Sequence, residues 1–146
     1  CLAAAIPLML AWTWWAAAGT LPPGWPLLLP LAALAGPALH LANSLVDATS
    51  DDQSDRRSLA VQLGPRRARV TLATLMSIIV ALAWATLATV GTAPGLSFAA
   101  ALIATITTAL GVVLSWQEAE RAREVGWLLQ AAGLATLATA WLASVV

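Results

Sequence analysis

The chain has 146 residues, 60% of them hydrophobic and only 10% charged, with a mean hydropathy of +0.83. A water-soluble domain carries about 25% charged residues, so this composition cannot clothe a soluble surface, and a bilayer is the expected solvent. The formal net charge is zero, which argues against nucleic acid as a partner, and the single cysteine, Cys1, rules out a disulfide framework or a cysteine metal site.

Five apolar stretches follow in chain order, each near the ~20 residues that cross a hydrocarbon core as a helix. The first covers residues 2–18. It begins with Cys rather than Met and has no basic leader, so a signal peptide is not expected and the chain is expected to be a piece of a longer protein. "GTLPPGWP" (19–26) is a turn-rich loop leading to the second stretch, 27–46, where Pro30 and Pro37 are expected to kink a helix. A polar segment, 47–69, carries Gly64-Pro65, and Pro65 suits the first turn of a third helix with its apolar part at 70–91. "GTAPG" (91–95) is a tight loop before the fourth stretch, 97–116, and a second charged connection, 118–124, precedes the fifth, 125–145. Period-2 alternation is absent, so barrel strands are not expected. The expected fold is an all-α, polytopic membrane helical bundle of about five transmembrane helices, forming one integral-membrane domain over 1–146.

Every charged residue falls in segment 47–69 or segment 118–124. These are the second and fourth connections, which five spans place on one side of the membrane. The other two connections carry no charge. Seven arginines and no lysine then assign the charged side to the cytoplasm. The expected location is a multi-pass protein of the cell inner or plasma membrane, with 47–69 as a cytoplasmic active-site loop. Trp12, Trp14, Trp15, Trp25 and Trp141 fall near the outer interface, Trp116 and Trp127 near the inner one, and Trp84 deeper.

Within "NSLVDATSDDQSDRRSLAVQLG" (43–64), Asn43, Asp47, Asp51 and Asp55 recur at four-residue intervals. Residues four apart stack on one helical face. If the second helix continues past the membrane surface, an amide and three carboxylates form one stripe, with Asp52 elsewhere. Such a stripe repels itself unless a cation sits on it. Oxygen-only donors favour a hard cation, Mg²⁺ before Ca²⁺, and Mg²⁺ commonly completes its shell with substrate phosphates. Arg56 and Arg57 lie just beyond, where guanidinium groups can hold phosphate oxygens. The pattern points to a Mg²⁺-diphosphate site at the membrane surface, with a lipid tail on the diphosphate. Spacing alone also leaves open a solvated, charged connection that only sets topology.

The segment "LANSLVDATSDDQSDRRSLAVQLGPRRAR" (41–69) resembles the second aspartate-rich motif of the UbiA superfamily of intramembrane prenyltransferases. That motif has an Asn, a DxxxD pair, a short basic stretch, and a "TLAVRLG"-like segment followed by basic residues. Asn43 matches the Asn, Asp47 and Asp51 the pair, and "SLAVQLG" (58–64) the tail. About 29 residues match closely; the flanking helices fit by hydropathy and order. Three positions depart: Asp55 stands where the family often has Gly, Ser50 replaces an acidic neighbour, and Ser58 replaces Thr. The resemblance implies nine transmembrane helices around a central cavity, with two aspartate-rich motifs facing across it. The spans here would be helices five to nine. It implies transfer of a prenyl group from an allylic prenyl diphosphate to a small, often aromatic acceptor. Asp47 and Asp51 would be the catalytic metal ligands, with Asp55 as a further donor or a solvated residue. Asn43, Arg56 and Arg57 would bind substrate. Metal would neutralise the leaving diphosphate, and the apolar cavity would keep water from the allylic cation. The expected partners are the prenyl diphosphate, a small acceptor, membrane lipid and the N-terminal half of the same protein. The first motif is not in this chain, so the chain alone is expected to be inactive.

Two other functions compete. CDP-alcohol phosphatidyltransferases also use DxxxD at a membrane surface, but nothing like their DGxxAR element precedes Asp47. A transporter or cation-binding membrane protein would want charge at mid-membrane, where none lies. His40, one turn before Asn43 and Ser44, either touches the acceptor or is a satisfied polar residue between helices, and Ser44 has the same ambiguity. Glu118, Glu120, Arg121, Arg123 and Glu124 are expected to form a solvated connection. Gly111, Ala131 and Ala135 are expected to permit close helix packing.

Overall fold

A computed structural model of the protein describes residues 2–20, 25–53, 59–90 and 95–145, and the side chains of 8, 9, 11–20, 26–46, 59–89 and 95–144. These residues form six helices and, among the described residues, no strand: α1 (Leu2–Ala18), α2 (Trp25–Gln53), α3 (Leu59–Leu63), α4 (Pro65–Val90), α5 (Gly95–Leu114) and α6 (Glu120–Val145). Four are long and apolar enough to cross a membrane, over Pro26–Val46, Pro65–Thr89, Gly95–Leu114 and Glu120–Ser144. The first expected span is α1, which has 17 residues and lies at the short end of what crosses a bilayer.

Glycine and proline set the helix borders. Gly19, with φ of 70°, donates its N–H to the Trp15 carbonyl at 2.8 Å and closes α1 in the left-handed conformation that favours glycine. Gly64, with φ of 76°, ends the short α3, and its carbonyl accepts the Ala68 N–H at 3.0 Å, opening α4. Pro65 occupies the first helical position, where its missing N–H has no intrahelical partner to lose.

Hydrogen bonds and packing fix the directions of the helices. Trp141 Nε1 donates to Thr86 Oγ1, and both residues lie near the C-terminal ends of α6 and α4. These two helices therefore run the same way. Leu28 and Leu31, near the start of α2, line one cavity with Ala83, Trp141 and Leu142, so α2 runs opposite to both. Helices α5 and α6 form an antiparallel hairpin closed by turns at 115–119. The C-terminal end of α2, the start of α4 and the α5–α6 turn accordingly share one end of the bundle. Arg66, Arg67, Arg69 and the charges at 118–124 all lie at that end.

The core uses small residues to bring backbones together. A Cβ on Gly111 would stand 2.6 Å from the Gly126 carbonyl oxygen, and one on Gly133 would collide with the Thr108 hydroxyl, so α5 and α6 touch backbone to backbone. Ala131 and Ala135, by contrast, line a cavity. Polar side chains inside the bundle hand their hydrogen bonds on to helix carbonyls. Fully buried Gln130 donates through Nε2 to Ser115 Oγ at 2.8 Å, and Ser115 donates to the Gly111 carbonyl at 3.0 Å. Trp84 Nε1 reaches Thr105 Oγ1 at 3.0 Å, and Thr105 donates to the Ala101 carbonyl at 2.8 Å. A bilayer interior offers no water to do this, so the relay must be internal.

Two sequence expectations change here. Trp141 is 1% exposed, a core residue held by Thr86 and not part of an interfacial belt. Arg123 is also buried, and its Nη1 donates to the Glu118 carbonyl, so the second charged connection is folded onto itself and not simply solvated.

Candidate active site

Helix α2 carries the candidate residues. It has 29 residues, about 43 Å at 1.5 Å per residue, against a hydrocarbon core of about 30 Å. Its apolar span ends at Val46, and the helix goes on without a break to Gln53. The continuation is what the stripe requires. Asp47 and Asp51 occupy helical positions one and two turns beyond Asn43. The side chains of Asp47 and Asp51, and all of Asp55, Arg56 and Arg57, lie outside the described residues.

Within the span, α2 is buried over less than half of its residues. Leu41, Ala42, Ser44 and Leu45 are buried, whereas His40 and Asn43 are exposed. The open strip runs back along the helix at intervals of three and four through the half-buried Pro37 and Ala33 to the exposed Pro30 and Pro26. Pro37 removes the donor that would otherwise bond the Ala33 carbonyl on this strip. His40 and Asn43 are the polar residues of this exposed side, and in helical register they lead to Asp47.

Ser44 is resolved differently. It is 7% exposed and donates to the His40 carbonyl at 2.9 Å, so its hydroxyl is satisfied within its own helix. His40 shares the open strip with Asn43. Its exposure could not be read from α2 alone, because it depends on where α4 and α6 pack.

A cavity of about 260 Å³ lies among α2, α4 and α6, lined by Leu28, Leu31, Leu39, Ile79, Leu134 and Trp141 with several alanines. On α2 its lining includes Ala35 and Leu39, two turns and one turn before Asn43 in the same four-residue register that leads on to Asp47. Its lining is apolar. Sequence reasoning had no signal for it, since alternating Leu and Ala on three separate helices reads as ordinary core.

The donor set suits a hard cation. Asn43, near the end of the apolar span, and Asp47 and Asp51, beyond it, offer oxygen donors at four-residue intervals along one helix. Among the described residues no three His, Cys, Asp or Glu converge, and the aspartate side chains are not among them.

The protein is thus a helical membrane protein that presents an amide and an acidic pair where its longest helix leaves the apolar layer. The model of the UbiA prenyltransferase family matches residues 1–132. The chain belongs to that family, a class of prenyltransferase-type membrane enzymes. No curated protein and no solved structure matches it.

Proposed function

We propose that this chain takes part in Mg²⁺-dependent transfer of a polyprenyl group from a prenyl diphosphate to a small acceptor, at the charged end of the bundle. The observation that carries the reading is the unbroken course of α2 to Gln53, which carries the four-residue register of Asn43 past the end of the span to Asp47 and Asp51. Asp47 and Asp51 would hold Mg²⁺, with Asp55 as a further donor, and the metal would neutralise charge on the departing diphosphate. Asn43, Arg56 and Arg57 would orient the phosphate oxygens, the arginines through paired N–H donors. The His40 strip would face the reacting carbon and the acceptor, and the apolar helices around it would exclude water. The charged end would face the cytoplasm, as the arginine distribution favours.

The test is Mg²⁺-dependent binding of a radiolabelled prenyl diphosphate to the full-length protein in membranes. Binding that needs Mg²⁺ and is lost in Asp47→Ala supports the reading. Metal-independent binding, or full binding by Asp47→Ala, would overturn it. Residues 1–146 carry one aspartate-rich motif, so we expect no turnover from this segment by itself.

A further inference from the structure

A second concavity lies away from α2, on α4. It is a lateral cleft of about 520 Å³ with Val70, Ala73, Ser77, Ile78 and Ala81 of α4 on one wall and Trp116, just past α5, on the other. Farther along, Trp84 packs on Phe98 with ring centres 5.5 Å apart and bonds Thr105, joining α4 to α5 in the uncharged half. Towards the charged end the two helices leave the cleft between them. Thr74, also on its wall, donates to the Val70 carbonyl at 2.9 Å, so its hydroxyl is satisfied within the helix.

We propose that the cleft holds one acyl chain of an anionic phospholipid whose phosphate rests on Arg66 and Arg67. Length is the first reason. From Val70 to Ala81 the wall runs about 16 Å, close to the ~15 Å depth of one leaflet's hydrocarbon. Charge is the second. Arg66 stands one turn before Val70, and side chains on a helix lean towards its N-terminus, so both guanidinium groups rise from the mouth of the cleft to headgroup level. Both arginines are exposed, and neither has a carboxylate partner among the described residues. Trp116, 45% exposed, places an amphipathic indole beside the same mouth. The proposal does not rest on the catalytic reading; Arg66 and Arg67 fall at the end of the matched motif but have no assigned role in that reading.

The test uses the full-length protein, purified in mild detergent and equilibrated with equal amounts of phosphatidylglycerol and phosphatidylcholine of matched chains. Retained lipid is counted by native mass spectrometry. One phosphatidylglycerol per protein is expected in preference to phosphatidylcholine. The double variant Arg66→Gln/Arg67→Gln should lose the preference by roughly 10- to 30-fold. Ser77→Trp, which fills the cleft, should lose the retained lipid while helical circular dichroism is unchanged. Ala81→Phe serves the same purpose should Ser77→Trp not fold. Glycerol phosphate, which has the headgroup charge but no chain, should not compete. Equal retention of the two lipids, an unchanged preference in the arginine variant, or undiminished retention with the cleft filled would each overturn the proposal. So would loss of self-association in place of lipid on filling the cleft, since the occupant would then be a helix.

Discussion

The indole of Trp141 donates to Thr86 Oγ1 at 2.7 Å across 55 positions of sequence, tying the far end of α6 to the far end of α4. Thr86 in turn donates to the Leu82 carbonyl at 2.9 Å, so the indole is satisfied through a hydroxyl anchored on the α4 backbone. Trp141→Phe keeps the ring packing and removes the bond. Polar contacts between membrane helices average about 0.6 and reach about 1.7 kcal/mol, and the loss should fall in that range. Trp141→Ala should cost more, about 3–5 kcal/mol, because it also opens a void beside the apolar cavity. Unfolding by sodium dodecyl sulfate in mixed micelles measures both. Equal effects for the two variants would show that the hydrogen bond, and not the ring, holds the helices.

The α5–α6 hairpin depends on glycine more sharply. A methyl group at Gly133 would run into Thr108 Oγ1 and stand 3.0 Å from the Ala104 carbonyl oxygen, and backbone atoms cannot turn aside. Gly133→Ala should therefore force α5 and α6 apart, at about 1–3 kcal/mol. At Gly95 a new Cβ has nothing within 4 Å, so Gly95→Ala serves as the neutral control. Unfolding midpoints that move together in the two variants would contradict the close packing.

The two acidic positions on α2 should dominate turnover. Asp47→Asn or Asp51→Asn preserves the shape and removes the charge, and either should lower kcat by about 100-fold or more. Removing divalent metal with EDTA should abolish prenyl diphosphate binding. Mg²⁺ should restore it better than Ca²⁺, whose larger and looser oxygen shell suits such a site less well. Steady-state rates in membranes and filter binding provide the two readouts. Full activity in metal-free buffer would be incompatible with the proposed role of the pair.

Much of this was legible in the sequence because membrane helices follow local rules. The apolar runs located the spans of α2, α4, α5 and α6, whose bounds differ by five residues at most. Gly64-Pro65 marked the start of α4, since a left-handed glycine followed by proline opens a helix whatever packs on it. The four-residue register of Asn43, Asp47 and Asp51 was readable for the same reason, given a helix that continues to Gln53. Other features depend on partners distant in the chain. Helix α3 has only five residues and no distinct pattern of its own. Trp141 looked interfacial because it lies near a helix end, yet Thr86 and its neighbours bury it. Arg123 looked solvated because it is charged, yet it turns back onto the Glu118 carbonyl. The apolar cavity could not be read at all, because it arises only once α4 and α6 pack on α2.

His40 and Ser44 lie one turn apart and should behave in opposite ways. Ser44 is buried and bonded to its own helix, so Ser44→Ala removes about 0.6 kcal/mol of local bonding or less and should leave kcat and KM for both substrates unchanged. His40 is exposed on the strip that leads to Asp47, and its imidazole makes no hydrogen bond among the described residues. An ionisable side chain at this depth without an internal partner marks a position that meets a ligand or a facing protein group. On the proposed reading that ligand is the acceptor. His40→Phe should then raise KM for the acceptor by about 10-fold, the worth of one hydrogen bond of about 1.4 kcal/mol, and leave KM for the prenyl diphosphate unchanged. His40→Asn, which keeps a polar group there, should recover part of the loss. If His40→Phe instead lowered the unfolding midpoint while both KM values stayed fixed, the strip would be a helix-packing surface, and acceptor recognition would have to be sought elsewhere in the bundle.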